Sequence, residues 1–321
     1  MDSLHISTLS ENQQKCEASG HITTPTPALR LLAMAADDLE ASTELYAQAH
    51  YPQAIFLFQQ AVEKATKSFG MHFAGMTEAE ARSSRKVGHL SVRVFERSAE
   101  KIEKEMIVVK EAATTLPEMK QIIEITGFNI TPLVDGIHGV VTNLNELSNN
   151  HKQYLDLSKE DLTDIFRYVQ ENEDQIARIH NMIQKNKLPK ADDLLTLRKN
   201  AHATLEPICA AYPEQRANLE KGVEDFMNLF TQKKFWKEVI EPVCEFGGAM
   251  ISLFCLSFVM QPHAIAARYP EEDFDPLEFY TSERPLIQAL PSLYHIADRS
   301  IDRLRRLYVT IALEVPHNKL T

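Results

Sequence analysis

Residues 51–67 read Tyr-Pro-Gln-Ala-Ile-Phe-Leu-Phe-Gln-Gln-Ala-Val-Glu-Lys-Ala-Thr-Lys, and this stretch decides the fold. Its polar residues recur at intervals of three and four positions, so on a helix they share one face. This polar patch consists of Gln59, Gln60, Glu63, Lys64 and Lys67. The segment from Leu29 to His50 carries an apolar stripe of its own. Together the two segments predict a helical hairpin.

The composition predicts a soluble, all-α protein. With 321 residues, 44% of them hydrophobic and 25% charged, the chain is long enough for a large core and for two helical units. It has 10 glycines, and its valines and isoleucines do not alternate with polar residues, which argues against a sheet protein. The net charge of −11 argues against broad, passive binding to nucleic acid phosphates.

The cysteines and histidines do not have the spacing of a metal site. None of the four cysteines belongs to a CxxC pair, and the twelve histidines are scattered. We therefore predict neither a metal nor a cofactor. Unpaired thiols, and a polar first segment without the apolar core of a signal peptide, predict a cytoplasmic protein. The cysteines are Cys16, Cys209, Cys244 and Cys255.

Motifs of several enzyme classes are absent from the sequence. It has no GxxxxGK[ST] loop, no HExxH, no GxSxG and none of the ExxH pairs that helical di-iron sites use. Whether the chain is an enzyme is therefore an open question at this point.

Proline and capping residues mark where helices begin. Thr26 precedes Pro27, and Thr77 and Ser158 are each followed three residues later by an acidic residue, as in a capping box. The stretch 123–139 contains three glycines and a proline and is the least regular. We predict a disordered tail at 1–25, a first helical domain at 26–130 and a second helical unit at 131–321, with its last helix at about 291–313.

One uncharged segment could form either a core helix or a membrane-spanning helix. Phe246–Met260 is fifteen residues long, whereas a spanning helix needs about 20. Its small residues would let a neighbouring helix approach closely. We predict a central core helix and expect no stable membrane insertion. The small residues are Gly247, Gly248, Ala249 and Ser252.

Three charged segments are candidate contact surfaces. Two basic strips are interpreted as solvated helix faces, with local RNA binding as the alternative. The acidic, aromatic loop at 269–280 is a candidate surface for a protein partner. The first strip consists of Arg82, Arg85, Lys86, Arg93, Arg97 and Lys101, and the second of Arg299, Arg303, Arg305 and Arg306.

The helical hairpin resembles the HEPN family of small helical domains. The similarity covers about residues 30–100 and rests on 51–67, with Ala33, Asp38, Leu39 and Ala41 before it and His89-Leu90 after it. It implies an up-down helical bundle, in this chain extended by a second helical unit, and a homodimer. Some longer HEPN-like proteins resemble abortive-infection or toxin–antitoxin components, which would imply a role in phage defence.

The resemblance also makes the polar patch a candidate binding surface. The family uses this face for contacts, which implies that Gln59, Glu63, Lys64 and Lys67 form a polar rim for a nucleotide, RNA or protein. The other interpretation is an exposed helix face with intrahelical ion pairs, which contribute about 0.2–0.5 kcal/mol each.

Many HEPN proteins resemble metal-independent ribonucleases in which an Arg is followed, after four to six residues, by a His. The imidazole can shuttle the proton of the ribose 2′-hydroxyl, and the guanidinium can stabilise charge on the phosphorane. Arg82 and His89 have this spacing, although Gly88 is expected to interrupt the helix. The other interpretation of His89 is a structural histidine at a helix start.

A second pair, Arg198 and His202, is one residue short of that spacing but shares one helical face. Its other interpretation is a solvated surface pair. Two functions therefore remain. The first is a helical binding module for a nucleotide, RNA or protein, and the alternative is a metal-independent endoribonuclease that uses one Arg–His pair.

Overall fold

The structure is a computed structural model that describes residues 26–83, 88–115, 131–190, 192–271 and 273–314. Within these ranges the regular elements are helices and there is no β-strand, which confirms the all-α prediction. The predicted tail at 1–25 lies outside the described residues, as does the first part of the irregular stretch at 123–139.

Helices of very different lengths make up most of the described chain. In chain order they are α1 (Pro27–Ala47), α2 (Tyr51–Phe73), α3 (Glu78–Arg82), α4 (Val92–Thr115), α5 (Thr131–Asn149), α6 (Lys159–Gln184), α7 (Leu195–Ala211), α8 (Arg216–Leu229), α9 (Glu241–Met260), α10 (His263–Ala266), α11 (Pro276–Phe279) and α12 (Pro285–Glu314). A helical turn at Lys233–Phe235 and a π-helical turn at Trp236–Ile240 lead directly into α9.

Local sequence signals explain where the first helices begin. The Thr26 hydroxyl accepts a hydrogen bond from the amide of Leu29 at 3.3 Å, so α1 starts at the predicted cap. Both predicted capping boxes, at Thr77 and at Ser158, are present. Ala49 has a φ of 60° and reverses the chain between α1 and α2.

One hydrophobic core is shared by the first and the last helices. α2 packs on α1, α9 and α12, and α12 also packs on α1 and α9. Phe58, Leu253 and Leu290 have no exposed surface in this core, and burying each such side chain contributes about 1.5–3 kcal/mol. The predicted division at residue 130 therefore does not separate two cores.

Hydroxyl pairs add directional contacts inside this core. Each pair joins α1 or α2 to α9 or α12, so residues about 190 to 250 positions apart are held in one register. Buried hydroxyls need such partners because an unpaired one costs about 1–3 kcal/mol. The pairs are Ser42–Tyr294 at 2.9 Å, Ser68–Tyr308 at 2.9 Å and Thr66–Ser257 at 3.0 Å.

The remaining long helices surround this core. α6 packs on α9 and α12, α4 packs on α5, and α7 packs on α8 as a hairpin. Two sequence predictions need correction. Residues 131–139 of the predicted irregular stretch are helical, because Pro132 and two glycines lie within α5. α12 begins at Pro285 and continues through Pro291, whose neighbours Leu290 and Leu293 are fully buried and hold the helix together by packing.

The uncharged segment becomes α9 and lies in the core, as predicted. Leu253 and Val259 have no exposed surface, and Gly248, Ala249 and Ser252 are buried as well. By length and composition, Lys233–Met260 is the one helix of the described chain that could cross a membrane, and half of its most apolar window is buried by other parts of the chain.

The two adjacent glycines of α9 provide a matched test of this packing. A Cβ on Gly248 would meet the Ile176 side chain and would lie 2.9 Å from Nη1 of Arg303, whereas a Cβ on Gly247 meets nothing within 4 Å. We expect Gly248→Ala to lower the free energy of unfolding by about 1–2 kcal/mol through overpacking. Gly247→Ala should raise it by about 0.4–1 kcal/mol, because alanine favours the helix.

Urea denaturation of the two variants and the wild-type chain measures both changes. A destabilisation of the same size in both variants would contradict the close approach at Gly248.

Candidate functional site

The polar patch of α2 is centred on a buried carboxylate. Glu63 is 5% exposed and Gln59 is 1% exposed, so the interpretation of an exposed helix face does not hold for these two residues. Lys67 Nζ donates to Glu63 Oε1 at 2.7 Å, and Gln59 Nε2 donates to Oε2 at 3.1 Å. Gln60 Nε2 also lies 3.4 Å from Oε2. The i, i+4 spacing predicted these contacts within α2.

The fourth partner of Glu63 comes from outside α2. His89 Nδ1 lies 3.1 Å from Glu63 Oε2, while its side chain remains 60% exposed. Because an ionised carboxylate only accepts hydrogen bonds, Nδ1 must carry a proton in this contact. We call Gln59, Gln60, Glu63, Lys67 and His89 the Glu63 cluster.

The electrostatics of the cluster keep Glu63 ionised. Burial alone would raise the pKa of Glu63. The charge of Lys67, and the hydrogen bonds that Glu63 accepts from Lys67 and Gln59, outweigh burial and lower the pKa of Glu63 below 4.5. Both carboxylate oxygens are occupied by donors, so the group acts as an anchor for α2 and for the turn that holds His89.

Lys64, the remaining residue of the predicted binding surface, points to a different partner. It forms an ion pair with Asp38 of α1, and both side chains are about one-fifth exposed. Within each of the two ion pairs, Lys64–Asp38 and Lys67–Glu63, the lysine and the carboxylate neutralise each other. Together with Asp38, the predicted surface of Gln59, Glu63, Lys64 and Lys67 therefore carries no net charge.

The first Arg–His pair is not a contact in the structure. Arg82 is 78% exposed and pairs with Glu78 one turn earlier in α3, whereas His89 pairs with Glu63. Gly88 has a φ of 56°, so the helix is interrupted before His89, as predicted. Residues 84–87, including Arg85 and Lys86 of the first basic strip, lie outside the described residues.

The second Arg–His pair does converge, on a residue that the sequence analysis missed. Arg198 Nε and His202 Nε2 lie 3.1 Å and 3.2 Å from the same oxygen, Oε1 of Glu224. Arg198 and His202 are on α7 and Glu224 is on α8, so the three side chains join the two helices of the hairpin. All three are between one-quarter and about two-fifths exposed.

The second basic strip contains a buried arginine. Arg303 is 5% exposed and lies between Glu173 of α6 and Glu245 of α9, with Nη2 2.6 Å from Glu173 and Nε 2.8 Å from Glu245. The interpretation of a solvated face is therefore wrong for Arg303, although it holds for Arg306, which is 64% exposed. Arg299 also pairs with Glu173.

A helical-spacing signal for Arg303 was present in the sequence. Arg303 comes three residues after Ser300 and four before Leu307, both of which are buried in the core. Burial raises the pKa of Glu173, but Arg303 and Arg299 outweigh that effect and lower it below 4.5.

Among the described residues, no group of three or more His, Cys, Asp or Glu has the geometry of a metal site. Cys16 lies outside them.

Comparison with known proteins gives a family for the first part of the chain. Residues 28–115 match the family model of the HEPN domain. This match confirms the resemblance inferred for about residues 30–100, and the chain thus contains a HEPN-like helical domain in α1–α4. Neither the curated proteins nor the solved structures yielded a match to the chain.

The Glu63 cluster predicts a specific pH dependence of stability. Because folding lowers the pKa of Glu63, the unfolded chain takes up a proton first as the pH falls. The stability that the cluster contributes is therefore complete above pH 4.5 and is lost as the pH falls through the lower, folded pKa. Glu63→Gln should lower the free energy of unfolding at neutral pH by about 1–3 kcal/mol. As the pH falls below the folded pKa of Glu63, the variant should lose less stability than the wild type.

Urea denaturation at neutral pH and at about pH 3 measures both values. Glu78→Gln is the matched control, because it breaks an exposed pair with Arg82 that is expected to contribute less than about 1 kcal/mol. An equal difference between wild type and Glu63→Gln at both pH values would contradict this electrostatic assignment.

Proposed function

We propose that this chain is a HEPN-like helical binding module that recognises a nucleotide, RNA or protein partner. The observation that supports this proposal is that each arginine and histidine of the two candidate catalytic pairs is engaged by a carboxylate. Arg82 pairs with Glu78 and His89 with Glu63, and Arg198 and His202 share Glu224.

Such pairing opposes the chemistry of a metal-independent ribonuclease. The guanidinium in that reaction must stabilise negative charge that develops on the phosphorane, and a neighbouring carboxylate cancels much of its field. The net charge of −11 also disfavours the approach of an RNA backbone, because phosphates are repelled by an acidic surface. A binding module requires neither a free guanidinium nor a free imidazole.

The ribonuclease remains the second candidate because of one observation, the convergence of Arg198 and His202 on Glu224. Nε of Arg198 lies 3.1 Å from that carboxylate, and in a ribonuclease the terminal nitrogens of the same guanidinium would have to bind the phosphate. Glu224 would then act as a positioning residue that orients the imidazole of His202.

Partners and biological context complete the proposal. A homodimer is supported by the habit of HEPN domains to dimerise. The proposed role in abortive infection or toxin–antitoxin systems rests on the HEPN match of residues 28–115 alone. The acidic loop at 269–280 is the proposed surface for a protein partner. Its Tyr280 is buried against His263, whereas Leu277 is 70% exposed and Tyr269 is 54% exposed.

The two functions are distinguished by incubating labelled RNA with the purified chain in EDTA. We expect the wild-type chain to leave the RNA intact, because neither Arg–His pair is free of a carboxylate. His89→Ala and His202→Ala should then be indistinguishable from it. Cleavage that His202→Ala abolishes and His89→Ala preserves would instead establish the second candidate.

If the RNA is cleaved and His202→Ala abolishes the cleavage, Glu224→Gln tests the role of Glu224. In a ribonuclease that depends on Glu224 for the orientation of His202, this variant would shift the pH dependence of cleavage rather than abolish it. Retention of the wild-type circular dichroism spectrum by each variant serves as the folding control.

The oligomeric state is a separate expectation. We expect sedimentation equilibrium of the wild-type chain to give the mass of a dimer, about twice the 36.5 kDa of one chain. A monomer across the accessible concentration range would overturn the proposed dimer without affecting the assignment of the binding module.

A further inference from the structure

An apolar groove opens between the HEPN-like domain and the helices that follow it. It has a volume of about 850 Å³ and lies between α2, α4, α5, α6 and α9. Five phenylalanines form its floor, with Phe69 and Phe246 stacked at 5.4 Å between ring centroids. We call this feature the phenylalanine groove. The floor residues are Phe69, Phe73, Phe95, Phe246 and Phe254.

Apolar side chains are exposed around this floor. Ile102, Val140 and Tyr168 are each just over 50% exposed, and Met250 is 38% exposed. They belong to four different helices, so the fold gathers this surface from distant parts of the sequence. Among the described elements α5 packs extensively on α4 alone, which leaves most of its residues exposed. Contiguous exposed apolar surface of this kind marks a binding site more often than an inert surface.

The lining residues indicate a protein partner rather than a small molecule. Aromatic residues and Met are enriched at the buried centre of protein interfaces, whereas small-molecule sites add convergent polar groups that orient the ligand. In this groove the hydroxyl of Ser98 is engaged within α4, where it donates to the carbonyl of Val94 at 2.7 Å. The other polar lining residues, Lys101, Glu105 and Tyr168, are exposed. The groove therefore offers apolar area rather than converging hydrogen-bond partners.

Two opposite charges, one helical turn apart, line the groove. Lys101 and Glu105 are both exposed on α4 at i, i+4 spacing. Neither forms an ion pair, with the other or with any other described residue. Because the two charges balance, the groove attracts neither an anion nor a cation in preference.

Balanced charges that are not yet paired suit a second copy of the same chain. In a two-fold interface, residue i of one protomer meets residue j of its partner, and j meets i. A surface with excess charge would repel its own copy. Here Lys101 of one protomer can pair with Glu105 of the partner subunit, and the two-fold axis repeats this pair once more.

We propose that the phenylalanine groove is the contact surface of the homodimer. Two copies pack groove to groove about a two-fold axis, so that the exposed apolar side chains of each copy cover the phenylalanines of the other. This inference rests on the dimer of the proposed function and adds the surface that forms it. The family match ends at residue 115, and α5, α6 and α9 follow that residue, so the match alone does not specify this surface.

Reversal of one charge at a time tests the two-fold pairing. By sedimentation equilibrium, Lys101→Glu and Glu105→Lys should each raise the dissociation constant of the dimer about 30-fold, since two exposed pairs of about 1 kcal/mol each are lost. An equimolar mixture of the two variants should form heterodimers with close to wild-type affinity, because one chain supplies two carboxylates and the other supplies two ammonium groups. The chain with both substitutions should dimerise as the wild type does.

A matched pair of isoleucines tests the apolar contact. Ile102→Gln should raise the dissociation constant of the dimer at least about tenfold, because each copy loses an apolar contact, whereas Ile265→Gln should leave it unchanged. Both side chains are 51% exposed, but Ile265 lies on α10 and does not line the groove. Because both are exposed, neither substitution is expected to prevent folding.

Four results would overturn the proposal. A wild-type dimer that Lys101→Glu, Glu105→Lys and Ile102→Gln all leave intact would exclude this surface and preserve the proposed dimer. A wild-type monomer would overturn both. Weakened single-charge variants that neither the mixture nor the double substitution restores would contradict the two-fold pairing. Saturable binding of the apolar dye Nile red to a monomeric wild type, lost in Ile102→Gln, would assign the groove to a small apolar ligand.

Discussion

The buried charge of Arg303 is the constraint on which the arrangement of the later helices depends. An unpaired guanidinium inside a protein costs several kcal/mol, so α6 and α9 must both bring a carboxylate to α12. Glu173 and Glu245 meet this requirement, and their positions fix how the three helices face each other. Gly248 belongs to the same constraint, because any larger residue there would displace the Arg303 side chain. Glu173, Glu245 and Arg303 are distant in sequence, and their contacts thus fix one another's positions in the fold.

The HEPN-like domain depends on these later helices for its core. α1 and α2 are a hairpin with two apolar faces, and α9 and α12 cover the faces that the hairpin leaves open. The buried hydroxyl pairs from Ser42 and Ser68 to tyrosines of α12 are specific to this arrangement. A unit that ended at residue 115 would expose Phe58 and its neighbours to water. The regions outside the family match are therefore structurally part of the domain, whatever their additional function.

The features that the sequence predicted well are those with local causes. The starts of α1 at Pro27 and of α2 at Tyr51 were predicted correctly, because caps, prolines and helical spacing act over a few positions. The contact of Glu63 with Lys67 follows from the same local geometry. Burial of Glu63, convergence on Glu224 and continuation of α12 through Pro291 were not predictable in this way. Each depends on a partner distant in sequence or on packing of a neighbouring helix.

The distribution of charge separates two kinds of surface on this molecule. At the Glu63 cluster and at Glu224, cations and carboxylates satisfy one another, so a partner must displace an ion pair before it can bind the charge. Such sites favour shape and hydrogen bonds over net electrostatic attraction. In the groove above Phe69 and Phe246, apolar side chains such as Ile102 and Val140 face solvent, so a partner there gains contacts without breaking an ion pair. Burial of apolar surface, rather than attraction between charges, is therefore what that groove offers a binding partner.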